Sequence, residues 1–378
     1  MHKKIMVVLG TRPEAIKLSP VILALRDNSQ FETYILATGQ HDVMLNQVLD
    51  IFRIKPDKNL GIMTAGQTLT DISTRTMKGM DTVLKEFRPD VVLVQGDTTT
   101  AFAAALAAYY EQIPVGHVEA GLRTGNKYNP FPEEMNRRMI TAVADYHFAP
   151  TSLSARRLER EGIPAERVFV TGNTVIDAML MSLRKDYVFE DDILNALDYK
   201  GKKIIVMTMH RRESFGEPMR NILTAVRRIA EDFRDVEIIF PVHFNPRVRE
   251  AVDPILGKET PENIHLIDPL GYLAFVHLME KSFLILTDSG GLQEEAPALG
   301  KPVLVLRETT ERPEGVEAGT ARLVGTDPEM IYKEVRELIT DPTAYDRMAK
   351  AVSPYGDGKA SERIVEILLK IDKGACRK

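Results

Sequence analysis

Three acidic residues stand where short apolar runs end or a helix opens. Asp97 closes Gln95-Gly-Asp97 after Val91 to Val94, Glu119 follows Val115 to Val118, and Glu133 begins a helical stretch after Asn129-Pro-Phe-Pro132. Carboxylates that converge on one pocket can act as acid and base once their surroundings separate their pKa values. Taken singly, each reads first as an ordinary cap or a salt-bridge partner. Cations accompany them. In Gly10-Thr-Arg-Pro-Glu-Ala-Ile-Lys17, Gly10 permits a tight turn, Pro13 suits a first helical turn, and Arg12 and Lys17 flank a helix start, which outlines an anion site. Thr287-Asp-Ser-Gly-Gly-Leu-Gln-Glu-Glu295 is a second anion candidate, because Ser289, Gly290 and Gly291 would let backbone N–H groups approach a phosphate. The alternative there is a capped helix with glycines for close packing. His210, in Met209-His-Arg-Arg-Glu213, and His243, in Pro241-Val-His-Phe-Asn-Pro246, also follow apolar runs and suit a phosphate hydrogen bond or proton transfer near neutral pH. Glu134 and Arg138 are four apart and read as a helix-surface pair. Phe275 and Tyr272 fall on an expected helix, where core packing comes before base stacking.

Other chemistries lack their signature. The glycine-rich dinucleotide fingerprint is missing after the first run, and G-x-x-x-x-G-K-[ST] occurs nowhere; Gly116-His-Val-Glu-Ala-Gly-Leu-Arg123 has Leu and Arg where Lys and Ser/Thr belong. His117 and Glu119 form an H-x-E without the partner cysteines of a zinc deaminase, and H-E-x-x-H is absent. Neither a cofactor nor a metal is therefore expected. His147, His265 and His277 read as packing or surface residues.

Residues of this kind need a scaffold that gathers strand ends. Short β-branched runs bounded by Gly, Asp or Pro alternate with stretches of helical period such as Thr98 to Tyr110, the pattern of βαβ units on parallel sheets. The first series comprises Ile5 to Leu9, Thr33 to Ala37, Val91 to Val94, Val115 to Val118 and Val168 to Val170. A second series runs through Lys203 to Met207, Val236 to Phe240, Ile264 to Ile267, Phe283 to Leu286, Val303 to Leu306 and Arg322 to Val324. Between them, Ser182 to Lys202 is rich in Asp, Glu and Lys and has no buried-strand pattern, which places a boundary between about Thr171 and Lys202. A chain of 378 residues exceeds what one core usually supports, so two doubly wound α/β domains with a cleft between them are expected. Ligands of such sheets bind beyond the carboxyl ends of the strands, where the residues above stand.

Composition narrows the partners. Hydrophobic residues at 44% and charged residues at 27% fit a folded globular chain. A net charge of -5 lacks the broad basic footprint of a nucleic-acid binder. The single cysteine, Cys376, allows neither an internal disulfide nor a Cys-based zinc site and fits a cytoplasmic protein. The apolar run before Gly10 is too short for a signal peptide or a membrane span, so no membrane partner is expected.

Eight segments occur in a fixed order: Gly10-Thr-Arg-Pro-Glu-Ala-Ile-Lys17, Gly39-Gln-His41, Gln95-Gly-Asp97, His117-Val-Glu-Ala-Gly-Leu-Arg123, Pro132-Glu-Glu-Met-Asn-Arg137, Thr171-Gly-Asn173, His210-Arg-Arg-Glu213 and Asp288-Ser-Gly-Gly-Leu-Gln-Glu-Glu295. Together they closely resemble the non-hydrolysing UDP-N-acetylglucosamine 2-epimerases of bacteria and archaea, with correspondence over essentially the whole chain. The resemblance implies the GT-B fold, two Rossmann-like doubly wound parallel-sheet domains facing a central cleft. Residues 1–172 would form the first and 173–357 the UDP-binding second, with a C-terminal helix, about 358–378, packing back on the first. It further implies a cytoplasmic homodimer serving cell-surface polysaccharide biosynthesis, with neither metal nor nicotinamide. The implied reaction is reversible inversion at C2, converting UDP-N-acetylglucosamine to UDP-N-acetylmannosamine by elimination of UDP to a 2-acetamidoglucal and re-addition.

The same resemblance assigns residues. Asp97, Glu119 and Glu133 would transfer protons or position the sugar, with His210 near the diphosphate and sugar. Arg12, Ser289, Gly290 and Gly291 would hold the phosphates, Glu295 the ribose hydroxyls, and Phe275 would lie by the uracil. Lys17, Arg137, His243 and Arg312 would complete the polar lining. Some family members bind a second UDP-N-acetylglucosamine as an activator, for which Gln40, Gln67, Glu134 and Arg211 are the matching contacts. Hydrolysing 2-epimerases, epimerases of modified UDP-sugars and GT-B glycosyltransferases are the neighbouring activities.

Overall fold

The structure, a computed structural model, describes residues 2–39, 42–211, 214–257 and 260–371, without the side chains of 42–44; Gln40 and Cys376 lie outside the described residues. Its contacts divide the chain into two units, Met1–Ser182 with Tyr355–Lys378, and Leu183–Pro354.

In the first unit seven strands form one parallel sheet. They are β1 (Lys3–Leu9), β2 (Phe31–Ala37), β3 (Lys58–Asn59), β4 (Val91–Gln95), β5 (Val115–Val118), β6 (Tyr146–Ala149) and β7 (Val168–Val170), in the order β3-β2-β1-β4-β5-β6-β7. Two of these were not among the expected strands. Lys58–Asn59 is two polar residues long, and Tyr146–Ala149 is fully buried but contains no β-branched residue. The second unit carries six parallel strands: β8 (Lys203–Thr208), β9 (Val236–Pro241), β10 (Ile264–Ile267), β11 (Leu284–Thr287), β12 (Val303–Val305) and β13 (Ala321–Leu323). Their order is β10-β9-β8-β11-β12-β13. Each sheet therefore reverses its direction of growth once, between β1 and β4 and between β8 and β11. At such a switch point the loops leaving neighbouring strand ends part to opposite faces and open a crevice.

The helix Arg12–Arg26 shows how local chemistry sets the fold. Ala15, Leu18, Val21, Ile22 and Leu25 recur at three- and four-residue spacing and are fully buried against the sheet. Burial of each large side chain contributes about 1.5–3 kcal/mol. Its start is closed by Glu14, 2% exposed, whose carboxylate accepts the N–H groups of Gly10 (3.0 Å) and Thr11 (2.7 Å) and the Thr98 hydroxyl (2.7 Å). Burial pushes the Glu14 carboxyl above its usual range, against the lowering effect of these hydrogen bonds. Glu14→Ala is therefore expected to cost about 2–4 kcal/mol, because two buried N–H groups lose their acceptor. Glu14→Gln keeps an acceptor for them and should cost much less. Denaturant titration of the two variants checks this ordering.

The helix Thr174–Ser182 packs on Arg12–Arg26 and belongs to the first unit, which thus runs past residue 172. The returning segment supplies the helix Ala360–Lys370, which packs on both. Asp177, 1% exposed, caps its start by accepting from the backbone of Ala360 (3.2 Å) and Ser361 (2.7 Å) and from the Ser361 hydroxyl (2.6 Å). No helix among the described residues is long and apolar enough to cross a membrane.

Candidate active site

In the first unit, the ends of β4 and β5 bring two carboxylates together. Glu119 stands directly after β5 at φ +64°, a left-handed conformation that a glutamate adopts only when its surroundings enforce it. Those surroundings are four hydrogen bonds to a side chain that is almost wholly buried. Lys17 Nζ donates to both carboxylate oxygens (2.6 and 2.7 Å), Asn173 Nδ2 to Oε1 (2.9 Å), and Gln95 Nε2 to Oε2. Lys17, expected in the ligand lining, is thus spent on Glu119 in this structure. Asp97, two residues past β4, pairs instead with Arg137 from the helix Glu133–Val143, while its backbone carbonyl accepts from Asn136 Nδ2 (2.9 Å). Burial pushes the Asp97 carboxyl up; Arg137 opposes this, and the negative charge of Glu119 adds to it. Two neighbouring carboxyl groups therefore sit in different electrostatic settings, which is the condition for one to hold a proton while the other accepts one.

The loop beneath Asp97 is held by a histidine that sequence reasoning set aside. His117 is fully buried in β5, and its Nε2–H donates to the carbonyl of Gly96 at 2.7 Å. Burial is the chief cause that lowers its pKa to about 3, so the ring stays neutral.

Two expectations for this region are corrected. The anion site outlined by residues 10–17 has its Gly10 and Thr11 N–H groups occupied by Glu14, leaving the exposed Arg12 side chain as the cation that this helix start offers. Gly10 itself serves close approach: a Cβ there would lie 2.3 Å from Thr38 Oγ1. Glu134 is not on the surface. Its wholly buried carboxylate accepts the N–H groups of Thr124 (3.0 Å) and Gly125 (3.3 Å) and pairs with Arg138 (3.1 Å) and Arg137 (3.5 Å). Burial alone would raise its pKa, but these N–H groups and the Arg137 charge outweigh that and hold it below the usual range. The Glu133 side chain, half-buried on the same first turn, makes no hydrogen bond or ion pair with another described residue. Gln67 closes a turn before the helix Leu69–Phe87 by accepting the Thr64 N–H at 3.2 Å.

In the second unit, the switch point between β8 and β11 gathers His210, Arg211 and the glycine loop around Asp288. Asp288 is fully buried and accepts from the backbone of His210 (3.0 Å) and Arg211 (2.9 Å) and from the Ser214 hydroxyl (3.2 Å). His210 Nδ1 lies 3.3 Å from its other oxygen. Burial would raise the Asp288 pKa, but the hydrogen bonds and charge from His210 and Arg211 lower it. The aspartate thus holds His210 in place, a role legible only as its position at the head of the glycine segment. His243 is exposed, with its ring 6.1 Å from that of His210.

Gly290 meets a second acidic group. A Cβ built there would lie 3.1 Å from Glu311 Oε1 and 3.6 Å from Arg211 Nη2. Glu311 pairs with Arg211 (2.9 Å) and Arg307 (2.7 Å), and although burial would raise its pKa, its own backbone N–H and these cations lower it to about 2. Ser289 donates its N–H to Thr287 Oγ1 at 2.9 Å, and Gly291 opens the helix Leu292–Ala298, which carries the half-buried Glu295. Arg312, at the start of the helix Pro313–Glu317, pairs with the buried Glu294. Phe275 is half-buried on the helix Tyr272–Lys281 and is not joined by a ring contact to His210 or His243. Because the atoms nearest Gly290 are ends of flexible side chains, Gly290→Val should fold. If the loop holds a diphosphate, as the sequence resemblance implies, this variant weakens UDP binding tenfold or more in calorimetry; unchanged affinity would leave the loop a structural role. Among the described residues no cluster of three or more His, Cys, Asp or Glu is placed to hold a metal.

The chain matches a family model described as UDP-N-acetylglucosamine 2-epimerase over residues 23–369. It is 54% identical to the UDP-N-acetylglucosamine 2-epimerase of Bacillus subtilis over 367 residues, 97% of this chain and 95% of that protein. The crystal structure of UDP-GlcNAc 2-epimerase from Neisseria meningitidis bound to UDP-GlcNAc superposes with a TM-score of 0.86 at 49% identity, covering 97% of this chain and 100% of the other. The glycotransferase of kitacinnamycin, at 12% identity and a TM-score of 0.67 over 98% of this chain and 99% of its own, shares the fold alone. The two parallel-sheet units thus have the GT-B-like architecture expected from the sequence.

Proposed function

We propose, from the premise that this chain belongs to the UDP-N-acetylglucosamine 2-epimerase family, that it interconverts UDP-N-acetylglucosamine and UDP-N-acetylmannosamine without net hydrolysis. The observation that carries this reading is the pairing of Asp97 and Glu119 at adjacent strand ends in unlike surroundings. The C2–H of a hexose ring has no neighbouring carbonyl to acidify it, so removal of that proton needs a concerted exit for the electron pair. Elimination supplies one. The C2–H electrons form a C1=C2 double bond as the C1–O bond breaks, and that bond's electrons leave with the UDP oxygen. A 2-acetamidoglucal results. UDP oxygen then re-attacks C1 while a proton is delivered to the opposite face of C2, so atoms balance and nothing is hydrolysed. The reaction needs one carboxylate to take a proton, one carboxyl group to give a proton, and cations around the departing diphosphate.

Asp97, Glu119 and Glu133 form the proposed proton-transfer set, with Arg137 paired to Asp97 and Lys17 to Glu119. The proposed diphosphate contacts are Arg12, His210, Ser289, Gly290 and Gly291, with Glu295 at the ribose, Phe275 at the uracil, and His243 and Arg312 in the polar lining. The proposal includes a cytoplasmic homodimer and an activating second UDP-sugar. Gln67 and Arg211 would contact the activator, and the buried Glu134 would act through Thr124 and Gly125.

The test is proton NMR of the purified protein with UDP-N-acetylglucosamine in deuterated buffer. UDP-N-acetylmannosamine carrying deuterium at C2 is expected. Free N-acetylmannosamine with UDP would replace this reading by the hydrolysing one, and no conversion of any UDP-sugar would replace it by a transferase.

A further inference from the structure

Asn173 meets Glu119 from the loop after β7, on the far side of the sheet order from β4, which carries Gln95. It directly follows Gly172 after β7, is 2% exposed, and donates Nδ2 to Glu119 Oε1 at 2.9 Å. Its amide orientation is fixed, because Oδ1 accepts the N–H of Val175 at 3.1 Å and so leaves only the NH2 end for the carboxylate. Its backbone N–H donates to the carbonyl of Tyr355 at 2.7 Å. Tyr355 is the first residue of the segment with which the chain returns to this unit, and the next residue, Gly356, lies against Gly172: a Cβ on either would come within 3.3 Å of the other's Cα. Both glycines have positive φ, +89° and +128°, a conformation that side chains rarely adopt, and the two backbones cross closely there.

We infer that Asn173 is a positioning residue for the C2 proton transfer, holding the Glu119 carboxylate at the orientation it needs and itself held by the returning backbone at Tyr355. This rests on the proposed epimerase reaction. Glu119 is kept at a positive φ, and nothing in its own backbone favours that conformation; the direction of its carboxylate is set by the donors around it. Lys17 reaches both oxygens and fixes charge without choosing an orientation. Gln95 and Asn173 each take one oxygen from a different side, and together they prevent rotation about the last side-chain bond. Loss of one of these donors leaves the carboxylate bound but misaligned, which lowers the rate of the chemical step and leaves substrate binding in place.

Asn173→Asp keeps an acceptor for the Val175 N–H and replaces the donor facing Glu119 by oxygen, so it tests the contact with the helix start intact. Asn173→Ala removes both contacts. For each variant kcat and KM for UDP-N-acetylglucosamine are measured beside the wild-type protein, with folding checked by circular dichroism. A fall in kcat of roughly 10- to 100-fold is expected for Asn173→Asp and for Asn173→Ala, with KM within about threefold; the alanine variant shows the lost hydrogen bond without the carboxylate repulsion that the aspartate adds against Glu119. If wild type turns over and folded Asn173→Asp keeps kcat within threefold, or raises KM alone, the inference is overturned. If Asn173→Asp does not fold, Asn173→Ala is judged by the same split. A wild-type protein that fails to epimerise overturns the reaction reading instead, so the two failures remain distinct.

Discussion

Glu119→Gln and Asp97→Asn are each expected to lower turnover by roughly 10²- to 10⁴-fold, the usual worth of a positioned acid or base. Neither substitution is neutral toward the surrounding donors. In Glu119→Gln the amide has one acceptor where four donor contacts converge, so its NH2 faces a donor in either orientation. In Asp97→Asn, Arg137 loses its ion pair with Asp97 and keeps the one with Glu134. The informative measurement is therefore made on folded protein, from both substrates, in deuterated buffer. A variant that lacks only the carboxylate of the opposite face can still remove the C2 proton, form the glucal and return it. It should wash deuterium into the starting sugar without inverting it. A variant that lacks the carboxylate of the same face should do neither, and the two patterns should exchange when the other epimer is supplied. This swap follows from reversibility, since the group acting as base in one direction is the acid in the other. Near-normal inversion by either variant would remove that residue from the mechanism. Asp97 is the member whose carboxyl burial pushes upward, so it retains a proton at pH values where an ordinary aspartate has lost it.

How much of this was open to sequence reading depends on the range of the interaction. The strands β1 and β4 are legible because they are buried on both faces and so carry the unbroken apolar runs Ile5–Leu9 and Val91–Val94, and β5 because a β-branched valine stands at each of its ends. Tyr146–Ala149 is equally buried, but its two strand-favouring aromatics alternate with His147 and Ala149 over only four residues, and Lys58–Asn59 is too short to carry any signal. The positions of Asp97 and Glu119 were legible for the same reason as the strands they follow. Their partners were not. Lys17 reaches Glu119 across 102 residues of chain and Asn173 across 54, and no local pattern distinguishes those contacts from solvent exposure. Glu134 illustrates the converse error. Its i,i+4 spacing to Arg138 is real, but the same spacing describes a surface pair and a buried one, and only the loop folded over it, through Thr124 and Gly125, decides between them. Glu14 likewise reads as an acidic first-turn residue, whereas its burial turns it into the group that fills the helix start.

The first unit should lose stability steeply on acidification, and two histidines set the direction. His117 and His147 are paired across β5 and β6 and are both fully buried. Burial lowers their pKa values from 6.5 to about 3 and about 4, so the folded unit refuses protons that the unfolded chain accepts. Between pH 6.5 and those folded values the unfolded state binds more protons, and stability falls as pH falls. At about 1.4 kcal/mol per pH unit for each site, pH 4 removes about 3 kcal/mol per histidine, a large share of the roughly 5–15 kcal/mol that holds a typical domain. Glu134, held below its usual range, adds a loss of the same sign; Glu14 and Asp97, pushed up, bind protons in the folded state and partly offset it. The expected result is a cooperative loss of structure between about pH 4 and 5.5, followed by circular dichroism. His147→Leu is the discriminating variant. It removes an ionisable group from an apolar layer without touching the Gly96 contact of His117, so its acid midpoint should move to lower pH. An unchanged midpoint would assign the transition to carboxylates and leave the buried histidines as inert packing.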